Sequence, residues 1–334
     1  MKNIILSLAL VLPLVLSAQY SSHFLQRFTE SGKTGWRFST ATAANYGDIG
    51  SEAVDLSYSN NSSTTRGAKG DYSVAMGYNT TASGYASTAM GGYTKASGYG
   101  STAMGSYPTA SGDYSTAMGS FTTASGLIST AMGSRATASD YASLSIGSYN
   151  SVNSSVTGSA TAFNTANAAF VIGNGTASNA KSDAFVVYFN GNATLAGDLT
   201  INSDARLKDN IQPLGSTLDK LHQIEGKTYT FLKDEEHTPK IGVLAQEVQA
   251  VFPELVTEGA DGILSVNYQG LVPVLINAIN EQELKMSEQE AKIAALEAQN
   301  EQLAIASQKI AALEEMVRFL AVQQSQATSS VAAN

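Results

Sequence analysis

Ser115-Thr116-Ala117-Met118-Gly119-Ser120-Phe121-Thr122-Thr123-Ala124-Ser125-Gly126 is the stretch on which the reading of this chain turns. Its Ala-Met-Gly centre occurs at residues 75–77, 89–91, 103–105, 117–119 and 131–133. A degenerate copy, Ser145-Ile146-Gly147, keeps the register, and the step is fourteen residues each time. Two glycines per unit predict two turns, because glycine accepts positive φ without a Cβ clash. Between them lie one segment with Ala and Met and another with Tyr or Phe followed by Thr-Ala-Ser. Small, β-compatible residues at such a period predict a solenoid of short strands. A typical unit carries one Met and one or two aromatics as its large apolar residues, too little surface for a lone chain to offset backbone ordering. Three coils packed about an axis would bury the Met and Ala rows against one another, so the head is predicted to be a trimer. A disordered Gly/Ser tract has no need of strict register or regular Met placement.

Working outward, residues 150–176 read as a decayed continuation in which Val171-Ile172-Gly173 is a late echo. Upstream, Tyr46-Gly47-Asp48-Ile49-Gly50-Ser51-Glu52 runs into Ala53-Val54-Asp55-Leu56, either a cap on the solenoid or a plain loop. The repeats resemble the head of trimeric autotransporter adhesins, the YadA-like left-handed parallel β-roll. That resemblance implies a homotrimer whose head binds a host, matrix or glycan surface. Thr328-Ser329-Ser330-Val331-Ala332-Ala333-Asn334 does not read as an outer-membrane anchor strand, so the expectation is a chain that is not a complete autotransporter.

Composition narrows the function. The 334 residues carry a net charge of −9 with no basic stripe, so no nucleic-acid partner is expected. There is no cysteine, which removes disulfides and thiol chemistry. His23, His222 and His237 lie far apart, so no metal and no cofactor are expected. Met1 and Lys2, the apolar run Ile4 to Leu16 and then Ser17-Ala18 read as a secretory signal cleaved near Ala18. No transmembrane span is expected after its removal, and the product is expected to be exported, secreted or on the outer surface of a bacterium. Charge is sparse between Asp71 and Asn202 and dense after Ser203, which marks a domain boundary.

Beyond the repeats, Phe185-Val186-Val187-Tyr188-Phe189 predicts a strand, and Leu195 to Ile201 another. Then follow Ser203-Asp204-Ala205-Arg206-Leu207-Lys208-Asp209-Asn210-Ile211, Ile241-Gly242-Val243-Leu244-Ala245-Gln246-Glu247-Val248, Phe252-Pro253-Glu254-Leu255-Val256, Leu264-Ser265-Val266-Asn267-Tyr268 and an apolar helix from Leu271 to Ile279. Gly242 to Val248 reads as a strand end entering a short helix that Pro253 stops. Gln246 and Glu247 either bond a neighbouring chain or are solvated, and Tyr229 and Phe231 read as core. This ordered set resembles the intramolecular chaperone of endosialidase-type phage tailspikes, a self-cleaving serine peptidase family that includes the myelin regulatory factor. Asn267 stands where the family pattern has Asp, and no catalytic part is assigned to it.

A serine hydroxyl is a weak nucleophile until a base takes its proton, and a lysine serves when desolvation depresses its pKa. Ser203 and Lys208 are five residues apart, so a turn could bring them together. Spacing alone favours a simple N-cap instead, Ser or Asp before a helix with a Lys on its face. The resemblance assigns Ser203 as nucleophile and Lys208 as general base of a single-turnover autocatalytic cut. It leaves open whether Asn202-Ser203 or Ser203-Asp204 is broken and whether Asp204 or Arg206 orients the pair.

From Val272 an apolar heptad runs through Leu275, Ile279, Met286, Ile293, Leu296 and Leu303, with Gln282, Gln289 and Asn300 also on the seam. A three-residue slip then brings Ile310, Leu313, Val317 and Leu320 onto it, predicting a trimeric coiled coil. The boundaries read 1–18 signal peptide, 19–66 N-terminal cap region, 67–176 head repeats, 177–202 β connector, 203–285 α+β chaperone and autopeptidase domain, 286–325 coiled coil and 326–334 disordered tail. The expected fold class is a mainly β trimeric solenoid head followed by that α+β domain and coil. The expected function is a homotrimeric adhesin-like fibre whose chaperone registers three chains and then releases itself. The competing readings are a permanent uncleaved trimer and a glycan-active tailspike-like enzyme; no carboxylate pair or aromatic groove in residues 20–200 supports the latter.

Overall fold

A computed structural model describes residues 24–232 and 237–331, with side chains through 325. The signal segment expected over 1–18 lies outside the described residues. The chain divides into two compact units, 1–202 and 203–334.

In the first unit each fourteen-residue repeat forms one coil, as in the long strand Thr116–Ser120 and the short strand Thr123–Ala124. Long strands stack in parallel with Ala117 beside Ala103 and Ala131, and Met118 beside Met104 and Met132. Short strands stack likewise, Ala124 beside Ala110 and Ala138. The result is a parallel β-solenoid with two facing sheets. Alternation along a strand sends neighbouring side chains to opposite faces. The alanines of both sheets therefore point inward and merge into one fully buried core from Ala53 to Ala138. The Met row points outward, and Met76 and Met132 are 37% exposed. This corrects the expectation that Ala and Met rows both pack between chains: alternation reserves Ala for the inside of each chain.

The turns also differ from expectation. At the first turn Gly77, Gly91, Gly105, Gly119, Gly133 and Gly147 do take positive φ. So do the non-glycine residues two positions later, among them Tyr93, Tyr107, Phe121 and Arg135. At the second turn the left-handed residue is again two positions on, as at Tyr114 and Ile128, and the glycine serves a different need. A Cβ built on Gly98 would sit 2.0 Å from the Gly112 carbonyl oxygen of the next coil. The aromatics in left-handed backbone are held by their stack: the Tyr93, Tyr107 and Phe121 rings lie 4.5 and 4.7 Å apart, nearly parallel. Stacking of this kind offsets backbone strain of similar size, about 1 kcal/mol each.

Both ends of the solenoid are closed. The Tyr46–Leu56 region is a cap: strand Val54–Tyr58 is a coil of the solenoid, in register with Val74–Tyr78. Beneath it Arg37, 1% exposed, pairs with Asp55 at 3.1 Å and Glu30 at 2.9 Å, its guanidinium 4.7 Å over the Tyr46 ring. At the other end strand Leu144–Ser148 pairs with Ala168–Asn174, Ile146 beside Ile172 and Gly147 beside Gly173. The late echo is thus in register after a looped insertion. Within that insertion Asn150 accepts from Thr137 N at 2.7 Å and donates to Thr137 O at 2.8 Å. Asn153 accepts from the backbone N–H groups of Ser139 and Asp140, each at 2.7 Å. These amides take the place of the missing coil on the short-strand sheet. Antiparallel strands Asp183–Tyr188 and Ala193–Leu195 follow. The strand expected over 195–201 is therefore placed too late: pairing ends once Ala196 N has met Ala184 O, just before Gly197.

The second unit holds helices α1 (Leu218–Leu221), α2 (Ala245–Val251) and α3 (Leu271–Val331). It also has the strand pairs Lys227–Tyr229 with Lys240–Gly242 and Val256–Glu258 with Leu264–Val266. Gly242 ends its strand and α2 begins at Ala245; α2 stops before Pro253, as the sequence indicates. Val248, Phe252 and Val274 are buried together. Tyr229 and Phe231 are exposed and meet edge to face, so they are not core. Helix α3 runs 61 residues, through the expected coil and on past residue 325 to Val331. Those last residues, expected to be disordered, contain no Gly or Pro to stop the helix. The exposed apolar row along α3 is compatible with a coiled coil. Among the described residues no helix is long and apolar enough to cross a membrane.

Candidate functional site

The second unit starts at Ser203, and the chain turns there at once. Asp204 caps a single 3-10 turn, Ala205–Leu207, by accepting from Arg206 N at 2.9 Å. That turn folds Lys208 back so that its Nζ donates to Ser203 Oγ at 2.8 Å. Both groups are exposed. Ser203 and Lys208 are thus brought together, while the cap expected as the competing reading is present too, supplied by Asp204.

Asp204 and Arg206, left open above as orienting groups, bear on that pair only through the turn that Asp204 caps. They bind each other, Arg206 Nε at 3.0 Å and Nη2 at 2.6 Å from the Asp204 carboxylate. The Arg206 guanidinium holds the Asp204 carboxyl below the usual range, and Asp204 in turn holds Arg206 above its own. Neither donates to or accepts from Ser203 or Lys208 among the hydrogen bonds of the described residues. The chemical content is a hydroxyl in contact with an amine, and among the described residues no wall covers either group. A lysine base needs such a wall to lose its proton near neutral pH.

A second polar centre was not legible in the sequence. Glu281 on α3 accepts from the N–H groups of Thr217, at 2.7 Å, and Leu218, at 3.2 Å, and from the Ser216 hydroxyl at 3.0 Å. Asn277 adds bonds to Gly215 O at 2.7 Å and Glu281 at 2.9 Å. The Thr217 N–H, first among these donors, lowers the Glu281 pKa. The clasp fixes the chain that follows the Ser203–Lys208 turn onto the long helix. Residues more than sixty apart meet here, and no local spacing announces them. Asn267 accepts from Gly270 N at 3.1 Å and so acts as a turn cap.

Residues 203–257 match the family model described as chaperone of endosialidase. Five overlapping stretches between residues 68 and 150 match the YadA head domain repeat. Both resemblances read from the sequence are present. Among curated proteins, the long tail fiber protein Gp37 of Escherichia phage AR1 is 37% identical over 109 residues, covering 30% of this chain and 9% of that protein. The Gp37 proteins of Salmonella phage S16 and Enterobacteria phage T2 are 35% and 32% identical, over 27% and 29% of this chain. The chain spans only 13% and 8% of those two relatives, so it aligns with a small part of each.

Proposed function

We propose that this protein is an exported, homotrimeric, adhesin-like fibre whose C-terminal unit assembles three chains and then cuts itself away next to Ser203. The head supplies a rigid solenoid, and the relatives are tail fibres, components that act outside the cell. Self-association is supported by two apolar rows that a single chain leaves in water: the Met row of the head and the seam of α3, where Ile293 and Leu296 are about half exposed. Residues 203–285 then act as the chaperone, and the seam holds three repetitive heads in one register, which identical coils would otherwise slip past.

The observation that carries the cleavage reading is the Lys208 Nζ to Ser203 Oγ contact at the head of the family-matched segment. Lys208 takes the hydroxyl proton, Ser203 Oγ attacks a flanking backbone carbonyl, the peptide C–N bond breaks as its nitrogen takes up that proton and leaves as an amine, and water hydrolyses the resulting ester. Exposure of both groups in one chain fits a site completed by neighbouring chains. The test is the mass of the mature product on a denaturing gel and by intact mass spectrometry. Parent protein is expected as two fragments, with Ser203→Ala full length and Lys208→Ala nearly so. Parental processing of both variants would overturn the assignment, and a full-length parent would instead support the permanent trimer.

A further inference from the structure

The outward row of the long-strand sheet is chemically unusual within its own chain. In register along the sheet stand Leu56, Met76, Met90, Met104, Met118, Met132, Ile146 and Ile172. Leu and Ile at three of these places show that plain aliphatic side chains fit the row. Yet five consecutive coils carry thioethers, and these are five of the eight methionines in a chain with no cysteine. Met76, Met118 and Met132 are each more than a third exposed. The coil interior behind them is alanine and contains no sulfur.

We propose that Met76, Met90, Met104, Met118 and Met132 form a peroxide-sensitive modification site that controls whether heads can join. The inference rests on the reading above that this face is where copies meet. The thioether sulfur attacks one peroxide oxygen and the O–O bond breaks. The sulfur becomes a sulfoxide, oxidised by two electrons, and the second oxygen leaves as water after proton transfer. Each event replaces an apolar side chain with a polar one, and on adjacent coils the new dipoles lie one strand spacing apart, about 4.8 Å. A row of such dipoles cannot be buried without partners. The alanine core has nothing to oxidise, so the solenoid of each chain persists while its association fails. Sulfoxides are enzymatically reducible, so the block is reversible. In an assembled fibre the row is covered, whereas Met316, 60% exposed and off the seam, remains open to reagent.

The test uses the full chain, denatured, treated or not with hydrogen peroxide, then refolded. Sulfoxide is mapped by peptide mass spectrometry, mass in solution is read by light scattering, and strand content by circular dichroism. Oxidised chain is expected to keep its strand signal and run as monomer, and methionine sulfoxide reductase with a thiol to restore the trimer. A variant with all five row methionines and the seam residue Met286 replaced by Leu is expected to assemble with or without peroxide, whereas one with Met286 alone replaced is expected to assemble only without it. In pre-assembled parent, row oxidation is expected at least ~10-fold slower than at Met316. Oxidised row and undiminished trimer would overturn this inference alone, as would peroxide blocking the first of these variants as it does the parent. Untreated chain that stays monomeric would overturn the assembly reading together with this one.

Discussion

The head and the C-terminal unit solve the same problem to different depths. Each coil of the head pairs its backbone with the coil before and after it, and its alanines close a core inside one chain. What it leaves open is the outward Met row and the aromatic residues at the turns. The C-terminal unit closes only a small core around Val248, Phe252 and Val274, and leaves the Ser203–Lys208 turn and the seam of α3 in water. A part that completes itself is suited to endure. A part that depends on neighbours is suited to sense whether they are present.

The largest effect should come from breaking that dependence. Ile293→Asp with Leu296→Asp would put charges into the seam, and burying unpaired charge is costly. The variant is expected to be monomeric and uncut, although Ser203 and Lys208 are untouched. Light scattering beside a denaturing gel reads both quantities. A monomer cut at the parental rate would separate cleavage from assembly.

The next prediction attacks the self-sufficient part. Gly98→Ala places a methyl against the Gly112 carbonyl, where only backbone could yield. The expected loss is about 3 kcal/mol, the upper end of ordinary overpacking. Gly92→Ala meets nothing within 4 Å and should change stability little. Thermal unfolding of the two variants compares them, and equal melting would deny that coil-to-coil approach demands glycine. Asn150→Ala should cost less, about 1–3 kcal/mol, by leaving the Thr137 N–H and carbonyl unpaired.

These cases mark how far the sequence was readable. The fourteen-residue register, the existence of the coils and the resumption at Val171-Ile172-Gly173 are periodic, and periodicity survives without coordinates. Which way Ala117 and Met118 face is fixed by alternation relative to a second sheet, and composition alone assigned Ala117 to the wrong partner. Asn150 and Asn153 replace a coil through side-chain amides, a device that resembles loop chemistry in sequence. At the site, the five-residue spacing of Ser203 and Lys208 anticipated their contact. It could not anticipate that Asp204 would choose Arg206, because a competing local ion pair leaves no mark on spacing.

The smallest effect belongs to Glu281, which ties two segments of the C-terminal unit together. Its carboxylate is held ionised chiefly by the Thr217 N–H, so its folded pKa lies below the ordinary value. A depressed folded pKa contributes stability above the unfolded value, and the contribution is lost as pH falls through the folded one. The ordinary glutamate value is about 4.3, so the clasp is whole at neutral pH and lets go only in more acid solution. Hydrogen exchange of residues 216–218, followed by mass spectrometry, reads it directly. In the parent, protection relative to Glu281→Gln is expected at neutral pH and is expected to vanish on acidification below that value. Gln keeps one acceptor oxygen and carries no charge, so the variant should show little pH dependence of its own beyond the intrinsic exchange rate. Parent and variant protected alike at neutral pH would mean that Asn277, through Gly215, and the apolar packing of α1 hold this turn, and that the carboxylate only decorates it.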